Sequence, residues 1–148
     1  MKILVIEDTE KHMADAKAFF AGQEGVNVEY KYSTPHPRDL HPGTYDGVLC
    51  DIYFGEEPKG VAVMMICREQ NIPCIMVTAG FHHGARYDWI CQLGRALHCP
   101  EMVDSRPKDK EYGEADSKDW RRAYLALQWV LKEGLCETHG KYHVGCDL

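Results

Sequence analysis

Three apolar runs in the chain end on polar groups. Lys2–Ile6 reads KILVI and runs into Glu7 and Asp8; Val48-Leu49-Cys50 runs into Asp51; Cys74-Ile75-Met76-Val77 runs into Thr78, Ala79 and Gly80. None of the three alternates with polar residues, which predicts strands buried on both faces, as in a parallel sheet. An ionised carboxylate is costly to remove from water unless it is paired or binds a metal, so Asp51 is predicted at the end of its strand, 47–51. Residues 26–32 alternate Val26, Val28, Tyr30 and Tyr32 with Asn27, Glu29 and Lys31, predicting a strand with one solvated face. Residues 101–106, with only Met102 and Val103 apolar, predict a weaker fifth strand.

Helical periodicity fills most of the gaps. Asp8 or Thr9 caps a predicted helix reaching Ala21, with Ala16, Phe19 and Phe20 inward and Gly22 near its stop. A second helix, 60–70, turns Val61, Met64, Met65 and Ile66 inward and ends at Asn71-Ile72-Pro73. A third, 85–96, buries Trp89, Ile90 and Leu93, and a fourth, capped by Ser117 and stopped by Gly134, carries Trp120, Tyr124, Leu127 and Leu131 as its stripe, with Trp129 pointing elsewhere. Between Ser33 and Asp46, Pro35, Pro37, Pro42 and Gly43 predict mostly irregular chain, and the charged segment 107–116 is predicted exposed. Strands alternating with helices imply an α/β fold with a parallel sheet and right-handed crossovers. In such sheets ligands bind at the carboxyl ends of the strands.

Composition narrows the partners. The 148 residues suit one domain, and 17 basic against 23 acidic residues give a net charge of -6, so no basic face for nucleic acid is expected. The apolar start is too short for a signal-peptide core, and no later run approaches the roughly 20 residues of a membrane span. A cytoplasmic protein without membrane contact is expected. The seven cysteines are an odd number, and Cys50, Cys67, Cys74 and Cys91 sit in apolar surroundings as expected reduced core residues.

If their strands are neighbours, Glu7, Asp8 and Asp51 converge. Carboxylates at such range do not all stay ionised unaided, and a hard cation such as Mg²⁺ is the usual solution. The competing reading makes Glu7 and Asp8 the favourable negative charge at a helix start.

The ordered strand ends resemble the receiver domain of bacterial response regulators. Val5-Ile6-Glu7-Asp8 is similar to that family's acidic pair, Asp51 to its phosphoacceptor, Val77-Thr78-Ala79 to its hydroxyl-bearing switch, and Gly60 to the glycine opening its third helix. The resemblance covers residues 1–134 as a receiver-like domain, leaving 135–148 as a Cys/His-containing tail. It implies a flavodoxin-like, doubly wound, five-stranded parallel sheet of strand order 2-1-3-4-5. It further implies that Asp51 takes a phosphoryl group from a histidine kinase or phosphotransfer partner, and that Glu7, Asp8, Asp51 and the Tyr53 backbone carbonyl hold Mg²⁺. Thr78 then contacts the phosphoryl group and shifts a surface read by a downstream protein: a switch rather than a turnover enzyme.

The chain departs from that pattern in places. Where the family has Lys before Pro at the end of the fifth strand, Arg106 precedes Pro107, with Lys108 beyond; Arg106 is therefore the expected stand-in, a planar fork in place of a point charge. The loop after Asp51 offers Phe54-Gly55-Glu56-Glu57-Pro58, and the proline-rich stretch replaces most of the second helix. These departures imply an atypical, stand-alone receiver, with a phosphorylation-independent pseudo-receiver interaction module as the alternative. A hydrolase or phosphatase using the same carboxylates lacks, in Asp51-Ile52-Tyr53, the second Asp of an Asp-x-Asp motif. His82-His83 follows the Thr78 loop, a pair able to serve a metal or a proton transfer as readily as to be surface residues. In the tail, Cys136, His139, His143 and Cys146 form a ligand set that Zn²⁺ accepts, at a spacing too compressed for a finger; a polar tail is the plainer expectation.

Overall fold

The computed structural model describes residues 1–80, 89, 92–93, 101–107, 109 and 113–142. Among these, β1 (Lys2–Ile6), α1 (Glu10–Ala21), β2 (Asn27–Lys31), β3 (Gly47–Cys50), α2 (Lys59–Glu69), β4 (Cys74–Thr78), β5 (Glu101–Asp104) and α3 (Trp120–Glu133) follow in that order. The strands form one five-stranded sheet, β2-β1-β3-β4-β5, with every pairing parallel. This is the predicted flavodoxin-like order. No described helix is long and apolar enough to cross a membrane.

The lack of alternation in the three central strands has a direct structural cause. Ile3 and Val5 of β1, Leu49 of β3, Ile75 and Val77 of β4 and Val103 of β5 pack in one cluster with residues of α1 and α3. Their neighbours Leu4, Ile6, Val48, Cys50 and Met76 form a second cluster with residues of α2. Both faces are dry, and each such side chain contributes about 1.5–3 kcal/mol on burial. The proline-rich crossover covers the α2 side without a helix: a 3₁₀ turn at Pro37–Asp39 leads to the buried Leu40 and Tyr45, both in the second cluster. Tyr45 donates its hydroxyl to Glu29 Oε2 at 2.9 Å, and burial together with that bond pushes its pKa up to about 12.

Three local expectations are corrected. In α2 the buried residues are Gly60, Val63, Met64 and Cys67, and Met65 is 47% exposed, because an almost wholly apolar helix does not set its own phase. Trp89 and Leu93, expected inside, are 74% and 38% exposed; at i,i+4 spacing they share a helix side, and that side faces outward. Ile90 and Cys91 lie outside the described residues. The cap of α3 is Asp119 rather than Ser117, its carboxylate accepting the Arg122 N–H at 2.9 Å. In the tail, Cys136 is disulfide-bonded and so offers no thiolate to zinc, while His143 and Cys146 lie outside the described residues. Cys50, Cys67 and Cys74 are free and buried.

Candidate functional site

The register of the sheet places the polar strand ends side by side. Ile6 of β1 pairs with Cys50 of β3, and Cys50 with Met76 of β4, so Glu7 and Asp51 leave adjacent strands at one level with Thr78 close by. The Asp51 N–H donates to the Ile6 carbonyl at 2.9 Å, extending that pairing to the carboxylate itself. Gly60 is required for the turn that follows: its N–H donates to the Ile52 carbonyl at 3.0 Å, and a Cβ there would run into the Asp51 carbonyl oxygen.

Ligand oxygens of Glu7, Asp8 and Asp51 all lie within 4.8 Å of one another. Glu7 and Asp51 are buried and Asp8 is exposed. The cation beside them is Lys118. Its ammonium bonds to Glu7 Oε2 and lies 2.7 Å from Asp51 Oδ1, and its side chain is only 2% exposed. Burial pushes the Glu7 and Asp51 carboxyls up from their ordinary range, and the Lys118 charge opposes that rise at both. Glu7 spends its other oxygen on the Thr9 N–H at 2.9 Å, and Asp51 Oδ1 also accepts the Ile52 N–H at 2.8 Å. Asp8 Oδ2 accepts the Gly55 N–H at 3.0 Å, tying the loop after Asp51 to the start of α1. Asp51 faces a cleft of about 230 Å³ that is also lined by Asp8, Thr9, His12, Tyr53, Thr78, Glu114 and Lys118.

Solved structures share this arrangement of strands. The non-phosphorylated HemR receiver domain of Leptospira biflexa aligns with a TM-score of 0.56 at 22% identity, over 86% of this chain and 91% of that one. The chain has the receiver-domain fold. The receiver domain of the Francisella response regulator 1452 aligns at 0.54 and 16% identity over 86% and 97% of the two chains. A response regulator from Colwellia psychrerythraea aligns at 0.51 and 16% over 89% and 97%. No family model matches the sequence. No curated protein matches it either.

Within this receiver fold Arg106 stands apart from the cleft. Its guanidinium pairs with Asp104 Oδ2 at 3.5 Å, and it lines a separate hollow with Ser105, Pro107, Asp119 and Arg122. Among the described residues the cation beside Asp51 is thus Lys118, and Arg106, expected there, pairs with Asp104. The physical reason lies in the segment between β5 and α3, expected to be simply exposed. Glu114 forms an antiparallel bridge with Gly80, and the Ala115 N–H donates to the Ala79 carbonyl at 2.7 Å, so the chain folds back across the end of β4 before α3 starts. Gly80, at φ +148, permits that approach, since a Cβ on it would meet the Gly113 carbonyl oxygen. The return path delivers Lys118 to the carboxylates.

Thr78 is buried in the cleft wall, its hydroxyl oxygen accepting the Gly80 N–H at 3.3 Å. Tyr53 lines the same cleft. His82, His83 and Lys108 lie outside the described residues. Sequence reasoning missed Lys118, His12 and Glu114. A signal for Lys118 existed: it sits just before a helix start, where a positive charge is unfavourable by about 0.3–1 kcal/mol unless carboxylates answer it. Nothing in the pattern of positions marked His12 or Glu114.

The donor set fits a hard divalent cation. Three carboxylates against one ammonium leave two negative charges in the cluster when all four ionise. Oxygen donors from one or two carboxylates, a carbonyl and water are what Mg²⁺ takes. Glu7 accepts from Lys118 and Thr9, Asp8 from Gly55, and Asp51 from Ile52 and Lys118, and because each carboxylate oxygen carries two lone pairs all three keep capacity for a cation.

Proposed function

We propose that this chain is a response-regulator receiver that accepts a phosphoryl group on Asp51 from a histidine kinase or phosphotransfer protein and signals through protein contacts. The observation that carries this reading is the Lys118 ammonium bound to both Glu7 and Asp51 in the wall of a cleft that Thr78 also lines. Asp51 Oδ1 already accepts from Ile52 and Lys118, which leaves Oδ2 as the nucleophile. Its attack forms the oxygen–phosphorus bond while the phosphorus–nitrogen bond of the donor histidine breaks, its electron pair returning to the imidazole.

Glu7, Asp8, Asp51 and the Tyr53 carbonyl would hold Mg²⁺, which when bound neutralises charge on the phosphoryl oxygens. Lys118 holds the acceptor carboxylate in place and offers its ammonium to the incoming group, while Glu7 acts through Lys118 by fixing it. Thr78 gives up its local bond to Gly80 and turns its hydroxyl toward the phosphoryl oxygens. Because residues 113–115 are pinned to Ala79 and Gly80, that motion passes to the segment carrying Lys118.

The test is incubation with Mg²⁺ and a small acyl phosphate, read by intact mass. One added phosphoryl group, absent in Asp51→Asn, is expected. No modification under conditions where the metal is bound would leave the chain as a phosphorylation-independent interaction module.

A further inference from the structure

His12 sits on the first turns of α1 and lines the Asp51 cleft. Its backbone is fixed from two directions: it lies within α1, and its carbonyl accepts the indole N–H of Trp120 at 3.2 Å, two residues beyond Lys118. The ring's Nδ1 is buried without a hydrogen-bond partner among the described residues. No acceptor stands at Nδ1 to take a hydrogen from it, and we place the proton on Nε2, the nitrogen not held without a partner. Burial, and after it the Lys118 charge, hold the imidazole pKa below its ordinary value, against the opposing pull of Asp51 and Asp15, with Lys11 acting in the same sense as Lys118. Burial and the Lys118 charge thus both favour the neutral ring. A neutral donor has a specific use in this cleft, where Lys118 and a bound divalent cation would already supply positive charge.

We propose that His12, in the wall of the Asp51 cleft, is a phosphoryl-binding residue whose imidazole donates the Nε2 hydrogen to an oxygen of the group carried by Asp51. This deepens the receiver reading and rests on it. It adds a recognition contact from α1 to those of Lys118 and Thr78, on the wall that also holds Asp8 and Thr9.

Beryllofluoride in the presence of Mg²⁺ serves as the phosphoryl mimic, with affinity measured for the native chain, His12→Ala, His12→Gln and His12→Asn. A glutamine amide reaches the position of Nε2, whereas asparagine reaches only that of Nδ1. Loss of the contact is expected to weaken binding about tenfold or more in His12→Ala and His12→Asn, with His12→Gln restoring most of it. Imidazole ¹⁵N spectra are expected to show the Nε2-protonated tautomer in the free protein and a shift of that resonance on binding. Affinities within twofold across the series, equal behaviour of Gln and Asn, or an Nδ1-protonated ring would each overturn the His12 assignment while leaving the receiver reading in place. Failure of the native chain to bind beryllofluoride, or binding that survives Asp51→Asn, would overturn both.

Discussion

Two basic groups meet carboxylates at the carboxyl edge of this sheet, under opposite physical conditions. Arg106, at the end of β5, pairs with Asp104 of the same strand end at 3.5 Å, with both side chains between one-fifth and one-quarter exposed. Lys118, 14 residues beyond Asp104 in the sequence, reaches back to Glu7 and Asp51 with almost no exposure. The first pair is local, and its charges remain partly hydrated. The second is non-local and dry, where each charge costs several kcal/mol to bury and is tolerated only because the others answer it. The cation beside Asp51 is set by the return of the chain across β4, not by its position next to a proline.

The contrast can be broken most forcefully at Lys118. Lys118→Met leaves two buried carboxylates without their cation and is expected to destabilise the fold by about 3–5 kcal/mol in denaturant unfolding at pH 7. Because burial already raises both carboxyl pKa values, the loss should shrink as pH falls and the carboxyls take up protons. A loss that does not change with pH would mean the lysine acts by packing alone. Lys118→Arg is expected to fall between, at about 1–3 kcal/mol, since a planar fork must fit a space shaped for a point charge.

Arg106→Ala should cost about 1 kcal/mol or less, because a pair that keeps part of its hydration gains little. A larger loss would show that the Arg106–Asp104 pair has a structural role comparable with that of Lys118. The smallest effect concerns the half-buried pair Tyr45–Glu29 beside β2. Tyr45 is held up to about 12, so the folded state keeps a proton that the unfolded chain loses near pH 10. Its contribution is complete below pH 10 and is lost as the pH rises toward 12. Tyr45→Phe is expected to unfold with a shallower dependence on pH across that window.

These contrasts also mark what could be read from the residues alone. The central strands and their acidic edge were legible because strands buried on both faces advertise themselves as unbroken apolar runs, with Glu7, Asp51 and Thr78 at the ends of three of them; the strand order followed from the resemblance to receiver domains. The phase of α2 was not legible: with Val61, Val63, Met64, Met65 and Ile66 all apolar, only contact with the sheet decides which side is covered. Lys118 was hidden for a different reason. Its partners lie 111 and 67 residues away in sequence, and the turn that brings it to them depends on backbone bonds between residues 113–115 and 79–80, which no local preference encodes. Arg106 was the local candidate, and local is what its pairing turned out to be.

The central claim is that Lys118, rather than Arg106, completes the acceptor site. It is tested most directly by the extent of phosphorylation from a small acyl phosphate with Mg²⁺, read by intact mass on folded native chain, Lys118→Met and Arg106→Met. The account predicts full modification of the native chain and of Arg106→Met, with a loss of about tenfold or more in Lys118→Met. Modification that survives Lys118→Met and disappears in Arg106→Met would contradict it.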